Sequence, residues 1–126
     1  MTTGEVVYDK KEQLKKIQAW LIPGESLFAV YDLKGGGTGF IGITNRRLIF
    51  YDKQFMRKIK AMVTVPYSQI ATLSSEDKGG GFMTGRGFFS SSKLGIQTTG
   101  NIYYEFDFRG ADKAHDAYQL IAPNLM

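Results

Sequence analysis

The stretch Gly39-Phe40-Ile41-Gly42-Ile43-Thr44-Asn45-Arg46-Arg47-Leu48-Ile49-Phe50-Tyr51 narrows the architecture more than any other part of the chain. It reads as two apolar strands joined by a tight polar turn. Asn45 tolerates positive φ, and Thr44 and Asn45 can bond their own backbone, so a reversal here has a local mechanism. Beyond the turn, strand alternation sends Leu48 and Phe50 one way and Arg47, Ile49 and Tyr51 the other. Both faces carry apolar groups. Such a strand belongs in the middle of a sheet that curls over a core.

The remaining segments fit around this hairpin. A short helix comes first, with Asp9 as its cap and Glu12 returning the bond in a capping box. Leu14, Ile17 and Leu21 form its apolar stripe, Trp20 lies beside it, and lysines 10, 11, 15 and 16 lie outside. Pro23-Gly24 ends the element, and the helix is expected to dock on its own barrel. From Glu25 the period changes to two. Strands are expected over 27–33, 38–43, 46–53, 59–65, 69–76, 93–99 and 102–108, with 54–58 as a polar connection. The last is the cleanest: Ile102, Tyr104, Phe106 and Phe108 inward, Tyr103, Glu105, Asp107 and Arg109 outward. Ala114, Ala117, Tyr118 and Ile121 then mark one face of a C-terminal helix, stopped at Pro123.

Seven strands with short turns predict a mainly β fold, an antiparallel bent barrel or sandwich with the C-terminal helix as its lid. The 126 residues make one globular domain: a lead-in over 1–24 with the N-terminal helix, and the barrel over 25–126.

Composition excludes several chemistries. There is no cysteine and one histidine, His115, so thiolate sites and histidine clusters are out of reach. No metal or cofactor is expected, and His115 reads as a partly buried structural residue. Residues 1–8 lack the pattern of a signal peptide, and no apolar run approaches the ~20 residues that span a bilayer. A cytoplasmic protein is expected. The net charge of +4 is uneven: residues 1–60 hold eleven Lys/Arg against six Asp/Glu, the remainder five against six. That excess can draw anionic partners.

Gly37-Thr38-Gly39-Phe40-Ile41-Gly42 fits the G-x-G-x-x-G pattern, but a strand and turn follow it where a dinucleotide turn needs a helix. Gly39 and Gly42 read instead as places where a strand bends. In Thr44-Asn45-Arg46-Arg47, one arginine is expected to pair with an outward carboxylate such as Glu105 or Asp107 and the other to be solvated. Glu105 and Asp107 read as a surface ladder, with no acid–base role. If an anion or lipid surface binds, the candidates are Lys34, Arg46, Arg47, Lys53, Arg57, Lys58, Lys60 and Arg86. The glycine-rich segment 78–92 carries Phe82, Met83, Phe88 and Phe89, large apolar groups that need cover from this chain, an identical chain or a membrane. These four form a candidate interaction loop.

Leu21-Ile22-Pro23-Gly24-Glu25, Gly39, Gly42 and Thr44-Asn45-Arg46-Arg47-Leu48-Ile49-Phe50 together resemble the bacterial pleckstrin-homology-like families. The Thr-Asn-Arg-Arg-Leu-Ile-Phe part is also similar to the equivalent hairpin of GRAM domains, and Val65-Pro66-Tyr67-Ser68-Gln69-Ile70 to the segment after the fourth strand. The resemblance covers roughly 20–122. It implies a seven-stranded bent barrel capped by a helix, and an interaction module of the kind expected to form symmetric homo-oligomers. Pleckstrin-homology domains that hold inositol phosphates place several basic residues around the first turn. Lys34-Gly35-Gly36-Gly37-Thr38 has one lysine, so no phosphoinositide pocket is expected. Alternating aromatics read as core, and no specific nucleic-acid partner is expected. The reading is therefore a non-enzymatic, self-associating interaction domain; the alternative is a peripheral membrane adaptor that uses the basic residues and loop 78–92.

Overall fold

The computed structural model of the chain describes residues 5–34, 39–56, 59–77 and 92–125. Strand β1 (Val7–Tyr8) turns into helix α1 (Lys11–Gln18), followed by β2 (Leu27–Asp32), β3 (Phe40–Thr44), β4 (Arg47–Met56) and β5 (Ile59–Pro66). A 3-10 turn at Tyr67–Gln69 leads into β6 (Ile70–Asp77), β7 (Ser92–Thr98), β8 (Tyr103–Phe108) and helix α2 (Lys113–Ile121). Two sheets result, ordered β1-β2-β3-β4-β5 and β6-β7-β8. Their pairings are antiparallel except for β1 with β2. The sheets meet at one corner, where Leu33 bridges Phe108 and the Lys34 N–H donates to the Asp107 carbonyl at 2.7 Å. β5 and β6 do not pair, so the body is a bent sandwich.

All seven expected strands are present, and alternation explains their faces. Ala29, Tyr31, Ile41, Ile43, Leu48 and Phe50 point between the sheets, where they meet Leu94, Ile96, Phe106 and Phe108. Phe50 sits edge-on to Phe106 with ring centroids 4.9 Å apart, and Tyr31 edge-on to Phe108 at 5.3 Å. Helix α2 lays Ala114, Ala117 and Ile121 onto this core; the two alanines leave room for a close approach. The intervening residues Val30, Phe40 and Ile49 point to the outer face of the larger sheet. Alone they would face water. Helix α1 covers them, with Ile17 fully buried and Leu14 and Leu21 at the margins.

Gly42 shows why the helix sits so close. A Cβ there would stand 2.8 Å from Ile17 Cγ2, so the strand must present bare backbone to the helix. The pairing of Gly42 with Val30 and Ile49 is regular, and the register shifts fall at Leu27/Ala29 and Asp52/Met56.

Several expectations change. β1 has only two residues, too few for a periodic signal. β4 continues to Met56 and pairs it with Ile59, so most of the expected 54–58 connection is strand. The capping box does not form: the N-cap is Lys10, without a side-chain cap, because Asp9 is drawn into tertiary bonds. Asn45 does not adopt positive φ; among the described non-glycine residues Asn101 does, at 67°, in the turn before β8. Ile102 is 53 % exposed, ahead of the first residue of β8, and so leaves the inward row. His115 is exposed, its ring parallel to Tyr118 at 6.3 Å.

Candidate interaction surface

The turn between β3 and β4 is built around buried Thr44. Its Oγ1 accepts from the backbone N–H groups of Arg46 and Arg47, each at 3.0 Å, and lies 2.8 Å from Glu25 Oε2. Asn45 exchanges two bonds with the backbone of Ser26: its N–H donates to the Ser26 carbonyl at 2.9 Å, and its Oδ1 accepts the Ser26 N–H at 2.8 Å. That pairing, continuing the β2–β3 ladder, holds Asn45 where a free turn would let it go left-handed.

Arg47 spends its donors inside the protein. Nε donates to Glu25 Oε2 at 2.8 Å and Nη2 to Glu25 Oε1 at 2.9 Å, while Nη2 also reaches the Trp20 carbonyl at 2.8 Å and Nη1 reaches Thr64 Oγ1 at 3.2 Å. The Glu25 side chain is fully inaccessible to solvent. The Arg47 bond outweighs the desolvation that would raise its pKa, and holds the carboxyl down at about 2. The partner differs from the outward carboxylates expected: Glu105 and Asp107 lie on β8 of the smaller sheet, 3.4 and 3.9 Å from Lys93 Nζ, whereas Arg47 opens β4 of the larger one. Arg46 is exposed and makes no ion pair among the described residues.

A second charged cluster lies where β2 ends. Buried Asp32 accepts from Gln13 Nε2 at 2.8 Å and from Arg109 Nε at 2.7 Å, with Lys10 Nζ 3.6 Å away. Burial pushes its pKa up, but the Gln13 and Arg109 bonds and the nearby cations together bring it below the usual carboxylate value. Asp9 accepts from the Asp32 N–H at 2.9 Å and pairs with Lys113. These bonds clasp β1 and α1 to the body. Asp32, Gln13 and Lys113 carried no signal in the sequence, since their partners lie 19 to 104 positions apart.

Among the described residues, the candidate cations fall at two ends of the larger sheet. In the register of β2, β3 and β4, Arg46 and Arg47 lie at the Leu27/Thr44 end, whereas Lys34 and the backbone positions of Lys53 and Lys60 lie at the Asp32/Phe40 end. Arg57, Lys58, Arg86, Phe82, Met83, Phe88 and Phe89 lie outside the described residues. Among the described residues no group of three or more acidic or histidine side chains is placed to hold a metal, and no helix is long and apolar enough to cross a membrane.

What the described surface offers is α1. Ile17 faces the sheet, leaving Lys11, Lys15 and Lys16 exposed and Trp20 and Ile22 uncovered at 52 % and 48 %. On one flank Lys16, Ala19, Trp20, Tyr51 and Met62 line a recess of about 410 Å³. On the other, Val7, Leu21, Leu27, Phe28 and Leu120 help line a groove of about 680 Å³. Trp20 and Ile22 were missed as surface residues because a three-turn stripe reads as buried on both margins.

A two-sheet sandwich with a C-terminal helix over its core defines the pleckstrin-homology-like fold. A crystal structure of a pleckstrin homology domain from Shewanella amazonensis SB2B superposes with a TM-score of 0.62, at 21 % identity, over 98 % of this chain and 94 % of that one. The family model described as bacterial PH domain matches residues 9–122, and the chain belongs to that family. It is also 34 % identical over 65 residues to the uncharacterized protein YozO of Bacillus subtilis strain 168, a match spanning 52 % of this chain and 54 % of that protein. The match thus takes in about half the length of that relative.

Proposed function

We propose that the chain is a non-enzymatic cytoplasmic interaction domain that assembles with copies of itself. One observation carries this reading: β5 and β6 follow each other in the chain, yet each is hydrogen-bonded to a single neighbouring strand. Among the described residues, these two strand edges lie in one region without a further neighbouring strand, a template for pairing with another chain. The segment joining β6 to β7 adds Phe82, Met83, Phe88 and Phe89 as candidate contacts. Light scattering at working concentration should give a mass that is a whole multiple of the chain. Replacing exposed Ala71 and Ser74 of β6 by lysine should lower that mass without unfolding the domain; a monomeric wild type overturns the reading.

A second reading, association with an anionic membrane, is favoured by the lysines exposed along α1. It gives Arg46 and Lys34, both exposed, a role as further lipid contacts at opposite ends of the larger sheet. Flotation with vesicles across a salt series tests it, because attraction between exposed charges weakens as ionic strength rises.

A further inference from the structure

The membrane reading leaves open which surface would meet the lipid, and the structure assigns one: we propose that the outer face of α1 docks on an anionic bilayer, with Trp20 and Ile22 at the headgroup boundary and Lys11, Lys15 and Lys16 toward the lipid charge. This rests on that second reading and replaces its glycine-rich loop as the principal contact.

Three observations converge. The first is what α1 leaves uncovered. Its apolar stripe is consumed by the sheet, but Trp20 and Ile22 stay about half exposed at its C-terminal end, beside a recess walled by Tyr51 and Met62. An indole has an apolar body and a polar N–H, and it is most stable where water gives way to hydrocarbon.

The second is charge. Between Lys10 and Trp20 the helix region carries four lysines against one acid, Glu12. Lys16 Nζ lies over the Tyr51 ring at 5.7 Å, at the rim of the recess, so a cation stands directly above an apolar wall. An anionic headgroup above its acyl chain has the complementary order. A second copy presenting the same face would bring lysines against lysines, which disfavours that occupant.

The third is rigidity. An eight-residue helix in water is marginal alone, but this one is held by Ile17 against Gly42, by Gln13 on Asp32, and by Arg47 on the Trp20 carbonyl. Lipid would meet a preformed surface.

Trp20 is the sole tryptophan, so its emission reports on this surface alone. The full chain is mixed with vesicles of equimolar phosphatidylglycerol and phosphatidylcholine, or of phosphatidylcholine only, at low and high salt. The expected result is a blue shift with the anionic vesicles at low salt, quenched by brominated acyl chains and reversed by added salt. Replacing two exposed lysines, K15Q with K16Q, should lower the partition coefficient about 30-fold, each lysine near an anionic surface contributing about fivefold. Circular dichroism verifies that this variant is folded. The triple variant F82S, F88S and F89S should keep the full Trp20 shift. Vesicles that float the protein while Trp20 emission stays unchanged and unquenched overturn the α1 surface and leave the membrane reading standing. Protein that fails to float with anionic vesicles at low salt overturns both.

Discussion

Arg47 holds Glu25 through two parallel N–H···O bonds of 2.8 and 2.9 Å, and in doing so ties the chain before β2 to the turn before β4. The same guanidinium grips the carbonyl of Trp20, so a single side chain fixes the end of α1, the start of β2 and the central hairpin. Of the two arginines in the turn, Arg47 is structural, while Arg46 is exposed.

A pH dependence follows. The Glu25 pKa falls from 4.5 to about 2 on folding, so its contribution is fully present above pH 4.5 and is lost as the pH drops toward 2. A shift of this size corresponds to up to about 3 kcal/mol. Denaturant titrations from pH 7 down to pH 2 should show stability falling through that window. Glu25→Gln should destabilise the protein at neutral pH by about 3 kcal/mol, since Arg47 loses its buried counter-charge. The same substitution should flatten the acid limb.

Gly42→Ala should destabilise the domain by about 1–3 kcal/mol, because a methyl group 2.8 Å from Ile17 Cγ2 forces the helix off the sheet. In an Ile17→Ala background the same change should be close to neutral, as the clashing atoms are gone. Urea unfolding of the four proteins in this cycle measures the coupling. Additive losses would mean that Gly42 is not shaped by the helix.

Tyr67 donates its hydroxyl to the Thr44 carbonyl at 2.6 Å inside the body. Burial, and secondarily the Glu25 charge, push the phenol pKa well above its usual value, so it stays protonated at any working pH. Tyr67→Phe should lower stability by about 1–2 kcal/mol by leaving a buried carbonyl without its donor. Thermal melts at constant pH read this directly.

What could be foreseen in the sequence depended on whether a signal was local. Strand alternation in 47–51 and 104–108 correctly placed Phe50, Phe106 and Phe108 in one core, because side-chain direction repeats every two residues. The hairpin was equally plain, since Thr44 and Asn45 both prefer turns. Arg47's partner was missed although Glu25 stands in the Leu-Ile-Pro-Gly-Glu motif: nothing local says that two segments 22 positions apart close on each other. The same holds for Asp9, whose cap role was a reasonable local expectation until Lys113 and the Asp32 N–H claimed its carboxylate. The need for bare backbone at Gly42 was not legible, because the helix that demands it lies elsewhere in the chain. The lysines of α1 were assigned outward correctly; Trp20 was not identified as an exposed residue, because a stripe of three turns has no sharp edge.

The Asp32 cluster gives the last prediction, which concerns where the fold opens first. Gln13, Lys10 and Arg109 all depend on one buried carboxylate; α1 is held besides by Ile17, Leu14 and Leu21 on the outer face of the larger sheet, by the Asp9 bonds just ahead of it, and by the Arg47 tie at its far end. Asp32→Asn removes the negative charge while keeping the shape, which leaves Arg109 and Lys10 without a counter-ion. The main core between the sheets does not touch this carboxylate. The substitution should therefore speed hydrogen exchange at the amides of Leu14–Gln18 at least tenfold, while the amides of β7 keep nearly their original protection. Equal acceleration in both places would mean that α1 unfolds only with the whole domain, and that the cluster stabilises the body and not the clasp.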